Sequence, residues 1–577
     1  MTTSEAAATP STATPSTATP STAARAGSSP VATVDPDPRR WWSLGVLCMT
    51  LLIIGLDNTI LNVALPSLVR DLGATTSQLQ WIVDGYILVF AGLLLTAGSL
   101  GDRFGRRGAL SIGLVVFGIG SVASAMATDA NMLIFTRGFM GIGGALIMPA
   151  TLSLLTNIFT DPKERGRAIG VWAGVAGASG AFGPVLGGFL LEHFWWGSVF
   201  LINVPVVIAA LVLGRLLLPT SKDPSAPRLD PIGALLSMTG LVALLWGIIE
   251  APSKGWSDPV VIGGLALGVV VLVMFVLWEL HTDHPMLDVR FFQNLRFTAA
   301  SGAITLTFFA MFGVSFLATQ YLQSVLGYSP LEAGIRMLPM PLSMLLVAPW
   351  SPRIVERIGT KIVVGTGLLL ASLGTGVLAF VPVENGYPVI VAGMMTMAIG
   401  MGLLMAPATE SIMGSLPPAK AGVGSAMNDT TRQMGGALGV AIIGSVLASA
   451  YRPGVTSALT ALGAPEEVIA TAANSITGAM GAAAQLPQPL GDAVAAAASS
   501  EFVSAFHSAV LVGSAALLIA ALIVFRWLPA RAGDTRAHHE SALDGIASLT
   551  FAEAEGAVEL AELQIQQAED AAKPPET

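Results

Sequence analysis

Asp57, in the stretch LDNTILNVALP from Leu56 to Pro66, is a carboxylate late in a long apolar run that begins at Trp41 and Trp42. About fifteen helical residues at roughly 1.5 Å each place it about 22 Å into a hydrocarbon core about 30 Å thick. A carboxylate at that depth costs on the order of 3 kcal/mol or more unless it is paired, hydrated or protonated. Such an acid can bind a cation or carry a proton. The alternative is a helix-packing aspartate bonded to Asn58, Thr59 or Asn62. Asp84, in WIVDGY, and Arg137, in LIFTRGFMGIGGAL, lie at comparable depth in neighbouring apolar runs. These three can form one charge cluster, or Arg137 can neutralise one aspartate permanently. Asp429 and Glu410 are two further acids in apolar runs near the chain's second end. Arg432 follows Asp429 by three residues and can reach it, so permanent pairing there stays open. Glu410 can also extend to the membrane interface.

Each of these groups needs a helix in a bilayer to hold it. Of 577 residues, 53% are hydrophobic and only 11% charged, against about 25% charged in soluble domains. The expected fold class is an all-α membrane protein. Apolar spans are expected near 42–65, 79–100, 109–127, 132–157, 167–190, 199–218, 231–250, 259–280, 297–322, 333–350, 362–382, 388–413, 422–449 and 504–528, which makes fourteen transmembrane helices. With the N-terminus inside, Arg103, Arg106, Arg107, Arg165, Arg167, Arg228, Arg296, Arg353 and Arg357 all fall on the cytoplasmic side. Arg70, Lys254, Arg336 and Arg452 fall outside or at the outer edge. That is the positive-inside pattern, and it places both termini in the cytoplasm.

A repeat organises the spans. GSLGDRFGRRGAL, Gly98 to Leu110, follows the second span, and a degenerate echo, PWSPRIVERIGTKIV from Pro349 to Val363, follows the tenth. Two six-helix halves, 39–218 and 297–528, are therefore expected, with two inserted helices and linkers in 219–296. Related halves around a central cavity are a transporter arrangement. Residues 1–38 repeat TPSTA units and are expected to be a disordered cytoplasmic tail with no cleaved signal. The outer segment 450–503 reads as a short pair of amphipathic helices, and 529–577 as an acidic cytoplasmic tail with a solvated helix at 541–566.

Gly98, Gly101 and Gly105 let backbones approach closely at the inner end of the second span. Asp102 suits a helix N-terminus, and Arg103, Arg106 and Arg107 put three cations in the same loop. In the fifth span Gly183, Pro184 and Gly187 combine close packing with a missing backbone donor. Cys48 is the sole cysteine, so no intramolecular disulfide forms. The two histidine pairs, His281 with His284 and His538 with His539, have no further ligands nearby, and no metal is expected. G-x-S-x-G and phosphate-loop motifs are absent, which argues against a membrane-embedded enzyme.

LDNTILNVALP, GSLGDRFGRRGAL, LIFTRGFMGIGGAL, GASGAFGPVLGGFL and FLINVP together resemble the motif set of the major facilitator superfamily. Fourteen spans point to its drug:proton antiporter branch, and WIVDGY, PKERGRAIGVW and PMLDVRFF are similar to QacA-like multidrug efflux proteins. The resemblance covers residues 42–528. It implies that Asp57 is the helix-one acid of protonation, Asp84 the helix-two acid for cationic drugs, and Arg137 the helix-four arginine of proton transfer. It makes Gly98 to Arg107 an inner gating loop and Gly183-Pro184 the antiporter motif. Asp429 matches an acidic position of the thirteenth span. Met344 stands where that group has an acid in span ten, which argues against dicationic substrates.

The resulting expectation is a monomeric proton-coupled multidrug exporter of the cytoplasmic membrane. It needs no cofactor beyond the proton motive force. Its partners are lipophilic drugs, protons and the bilayer, not nucleic acid. A dedicated exporter of one endogenous product fits the same motifs.

Overall fold

A computed structural model describes residues 38–221, 230–282, 285, 287, 289–415 and 421–528, without the side chains of 95, 102, 162, 163, 173, 176, 177 and 421–426. The two tails, the 541–566 helix and the Asp102 side chain lie outside what is described.

The chain runs through α1 (Arg40–Leu72), α2 (Thr76–Phe104), α3 (Arg106–Ala125), α4 (Ala130–Ile158), α5 (Pro162–His193) and α6 (Ser198–Leu217). Then come α7 (Pro231–Lys254) and α8 (Pro259–His281), followed by α9 (Leu295–Val325), α10 (Pro330–Ile358), α11 (Thr360–Phe380) and α12 (Tyr387–Met413). Last are α13 (Ala421–Ala461), α14 (Glu466–Asn474), α15 (Ile476–Ala483) and α16 (Leu490–Trp527). Thirteen of the described helices are long and apolar enough to cross a membrane. The expected fourteenth falls on α5, a 32-residue helix. The side chains of 173, 176 and 177 within it are among those not described, so no continuous described stretch of α5 is long enough to be counted.

Turns and caps set the helix ends. Gly73 takes φ 63° to close α1, and the Thr75 side chain with Gln78 forms a capping box that starts α2. Asp129 accepts from the backbone of Asn131 and Met132 to start α4, satisfying donors that an apolar surrounding cannot. Gly105 turns between α2 and α3 at φ 125°, a conformation open to glycine alone without strain.

The packing repeats. α1 packs on α5, α4 on α2 and α3, and α6 on α1 and α3. In the same way α9 packs on α13, α12 on α10 and α11, and α16 on α9 and α11. The two sets touch where α2 meets α13 and where α5 meets α10, while α7 packs on α8, α2 and α13. We name the end that carries residues 462–489 the outer end, after the charge distribution.

The hairpin of short helices is present but begins later than 450–503. α13 continues to Ala461 and α16 starts at Leu490. Val455, Leu459, Val494 and Ala498 are fully buried, so Ala-rich, strongly helical sequence extends both helices beyond the apolar run and packs them on each other.

Candidate functional site

α1 and α4 carry Asp57 and Arg137 into the interior of the first half. Arg137 Nη1 donates to Asp57 Oδ2 at 2.5 Å, and the two side chains are 1% and 2% exposed. Arg137 Nε donates to the Ile82 carbonyl at 3.2 Å, and the guanidinium lies 4.4 Å from the Tyr86 ring centre. Asn203, from α6, places its amide nitrogen 3.4 Å from Asp57 Oδ1 and 3.4 Å from Ser121 Oγ. Two charges taken out of water hold together only when their remaining hydrogen-bonding groups are also met. The Ile82 carbonyl, Asn203 and the Tyr86 ring supply that here.

Asp84 is not part of this set. It is fully buried, and neither carboxylate oxygen has a hydrogen-bond partner among the described residues. The single three-charge cluster is thus resolved into an Asp57–Arg137 pair and a separate Asp84. The cause is the rotation of α2: the Ile82 carbonyl and the Tyr86 ring face Arg137. Asp84 follows Gln80 by one helical turn, and Gln80 Nε2 donates toward α13, 3.0 Å from the carbonyls of Val440 and Ala441.

In the second half, Asp429 is half-buried on α13 and has no hydrogen bond or ion pair among the described residues. Arg432 makes no close ion pair with it, although the two charges attract each other. Its Nη2 donates to Thr409 Oγ1 at 3.3 Å, and its guanidinium lies 5.6 Å from the Phe308 ring centre. Helical spacing allowed the pair, but Arg432 turns across to α12 and α9. Glu410 is exposed on α12. Met344, Met405, Phe308 and Met311 pack, partly buried, against this half's apolar core.

The glycine motifs sit at helix contacts. A Cβ at Gly183 would collide with Thr59, and one at Gly187 would press on Ile60, so α5 lies directly on α1. The Thr59 hydroxyl lies 2.8 Å from the Gly55 carbonyl and 3.2 Å from the Ser179 carbonyl. On its other side α5 meets α10: Gly188 abuts Pro330 and Leu331, and Gly334 abuts the Pro184 carbonyl. At the inner end Gly98 lies on Pro149 and Gly101 on Ala109. Arg106 donates from its backbone nitrogen to the Ser221 carbonyl (2.9 Å), and Arg107 Nη1 donates to the Leu218 carbonyl (3.0 Å). Arg103 is exposed beside Phe104.

Hydrogen bonds between the halves lie at the outer end. Besides Gln80, they are Gln323 Nε2 to the Val63 carbonyl (2.8 Å), Thr76 Oγ1 to the Asn474 carbonyl (2.7 Å) and Ser329 Oγ to Glu192 Oε2 (3.4 Å). A cavity of about 610 Å³ at the outer end is lined by Gln80, Asn131, Glu250 and Tyr451 among others, and Asp57, Asp84, Arg137 and Asp429 do not line it. Among the described residues no group of three or more metal-ligating side chains comes together.

Asn203 and Gln80 were not singled out from sequence. A polar residue inside an apolar span is the signal that marks Asn203. Gln80 lies near a helix end, where a polar side chain needs no explanation.

The multidrug efflux pump LfrA of Mycolicibacterium smegmatis is 35% identical over 493 residues, covering 85% of this chain and 97% of that protein. The tetracenomycin C resistance and export protein of Streptomyces glaucescens is 33% identical, covering 84% and 91%. Among solved structures, a bacterial homolog of the human lysosomal transporter Spinster aligns with a TM-score of 0.59 at 18% identity over 85% of this chain and 99% of that one. That likeness shows a shared fold. The model of the Major Facilitator Superfamily matches residues 47–440, and the chain belongs to that family of membrane transporters.

Proposed function

We propose that the protein is a proton-coupled multidrug exporter of the cytoplasmic membrane, acting as a monomer on lipophilic cations by alternating access. The observation that carries this reading is the buried Asp57–Arg137 pair. As long as Asp57 is ionised, the pair is satisfied. A proton on Asp57 releases Arg137 and changes how α1, α4 and α6 are held together. Transport needs such a difference between protonated and unprotonated packing.

With the outer end closed, Asp429 and Glu410 remain for a cation arriving from the cytoplasmic side. Met344, Met405 and Phe308 offer an adaptable apolar wall. Asp84 becomes available when α2 parts from α13. One proton exchanged for one monovalent cation moves no net charge. The gain is then the pH gradient alone, about 1.4 kcal/mol per pH unit. Any uncompensated charge adds about 2.3 kcal/mol per 100 mV.

Ethidium efflux from energised vesicles tests this. The reading expects efflux that stops when a protonophore is added; efflux that persists contradicts it. A dedicated exporter of one endogenous product is the second reading, favoured by the similarity to the tetracenomycin C resistance and export protein. A susceptibility panel on a deletion strain separates the two.

A further inference from the structure

The inserted helix α7 lies across the outer seam between the halves. Ser77 Oγ, on α2, donates to Glu250 Oε1 of α7 at 2.7 Å. Ser445 Oγ, on α13, donates to the Ile248 carbonyl of α7 at 2.8 Å. Beyond the end of α7, Trp256 Nε1 donates to Ser449 Oγ at 3.3 Å. Gln80 joins α2 to α13 directly and lies 3.5 Å from the same Ser445 hydroxyl. The three helices are therefore tied in a closed triangle, with Ser445 shared by two sides.

We propose that α7 splints the outer seam, and that Glu250 is the positioning residue that anchors the splint to α2. To part α2 from α13 the protein has to break the Gln80 bonds and, in addition, one side of the splint. Either Ser77 leaves Glu250, or Ser445 and Trp256 leave α7 and the residues after it. Without Glu250, α7 departs with α13, and of the bonds in this triangle only those of Gln80 still resist.

The Glu250 side is built to be strong. Its bond from Ser77 is charge-assisted, roughly twice a neutral hydrogen bond in strength. The other carboxylate oxygen sits 3.4 Å from Lys254 Nζ, which lies 4.6 Å from the Trp246 ring centre. Closer to the membrane centre, Gly92 leaves room on α2 for Met238 of α7; a Cβ there would strike that side chain. The inserted pair thus acts on the conformational equilibrium without touching a solute. This rests on the alternating-access reading above but not on which compound is carried.

The test reads the seam directly and uses no substrate. Val440 is fully buried one helical turn before Gly444, where a Cβ would strike Gln80. In a Cys48→Ser chain, Val440→Cys is labelled from outside by a membrane-impermeant maleimide in right-side-out vesicles. Adding Ser77→Ala or Glu250→Ala is expected to raise the labelling rate about tenfold or more, the scale of one lost charge-assisted bond. Ser237→Ala, whose hydroxyl donates only to Ala234 of its own helix, is expected to leave the rate unchanged. An unchanged rate in both Ser77→Ala and Glu250→Ala overturns the proposal, as does an equal rise in Ser237→Ala. If Glu250→Ala fails to fold, Ser77→Ala removes the same bond from the other side and decides the matter. Loss of dye export alone would count against the proposed function and would leave the labelling result standing.

Discussion

Arg137 Nη1 meets Asp57 Oδ2 at 2.5 Å, and both side chains are almost wholly shielded. Deleting one partner therefore strands the other. Arg137→Ala is expected to destabilise the protein by about 3 to 5 kcal/mol. Adding Asp57→Asn to it should restore most of that loss, since the stranded charge is gone. Thermal unfolding of the single and double variants in detergent measures this. Additive losses would show that the two residues are not coupled in stability.

Two glycines of α5 give a sharper packing contrast. A Cβ at Gly183 overlaps Thr59, while nothing lies within 4 Å of one at Gly180. Gly183→Ala is expected to force α1 and α5 apart, costing about 1 to 3 kcal/mol and slowing transport. Gly180→Ala should leave both properties unchanged. Paired melting curves and efflux rates test the contrast, and equal behaviour of the two variants would remove the close-contact argument.

Asp84 lies at the α2–α13 side with no partner among the described residues, so it is free to meet a ligand cation when the seam opens. Two unit charges about 4 Å apart attract by on the order of 4 kcal/mol at an effective dielectric near 20, before desolvation is subtracted. Asp84→Asn should weaken export of cationic dyes more than of neutral or zwitterionic drugs. Equal loss for both classes would assign Asp84 to coupling or folding.

Charge in an apolar run is legible in sequence, because the bilayer makes it expensive wherever the run folds. Asp57, Asp84, Arg137 and Asp429 were found that way. Their partners were not legible. Which acid Arg137 takes depends on a fraction of a turn in α2, which sets Ile82 and Tyr86 toward it and Asp84 away. Arg432 likewise reaches Thr409 on another helix instead of its neighbour Asp429. The Gly183 and Gly187 spacing announced a close contact but not that Thr59 and Ile60 fill it. The ends of α13 and α16 were misjudged for a related reason. Hydropathy falls at the membrane edge, while Ala-rich helices continue, pack on each other and bury Leu459 and Val494.

The central claim, that Asp57 couples a proton to export, is tested most directly by proton movement. In proteoliposomes holding a pH-sensitive dye, adding ethidium to the wild-type protein is expected to drive a proton counterflow across the membrane. Asp57→Asn is nearly isosteric but unable to cycle between charged and neutral forms. It leaves Arg137 uncompensated and so costs stability, but it is expected still to fold and bind dye while moving no protons. Wild-type proton counterflow in Asp57→Asn would contradict the account and leave the Asp57–Arg137 pair a purely structural device.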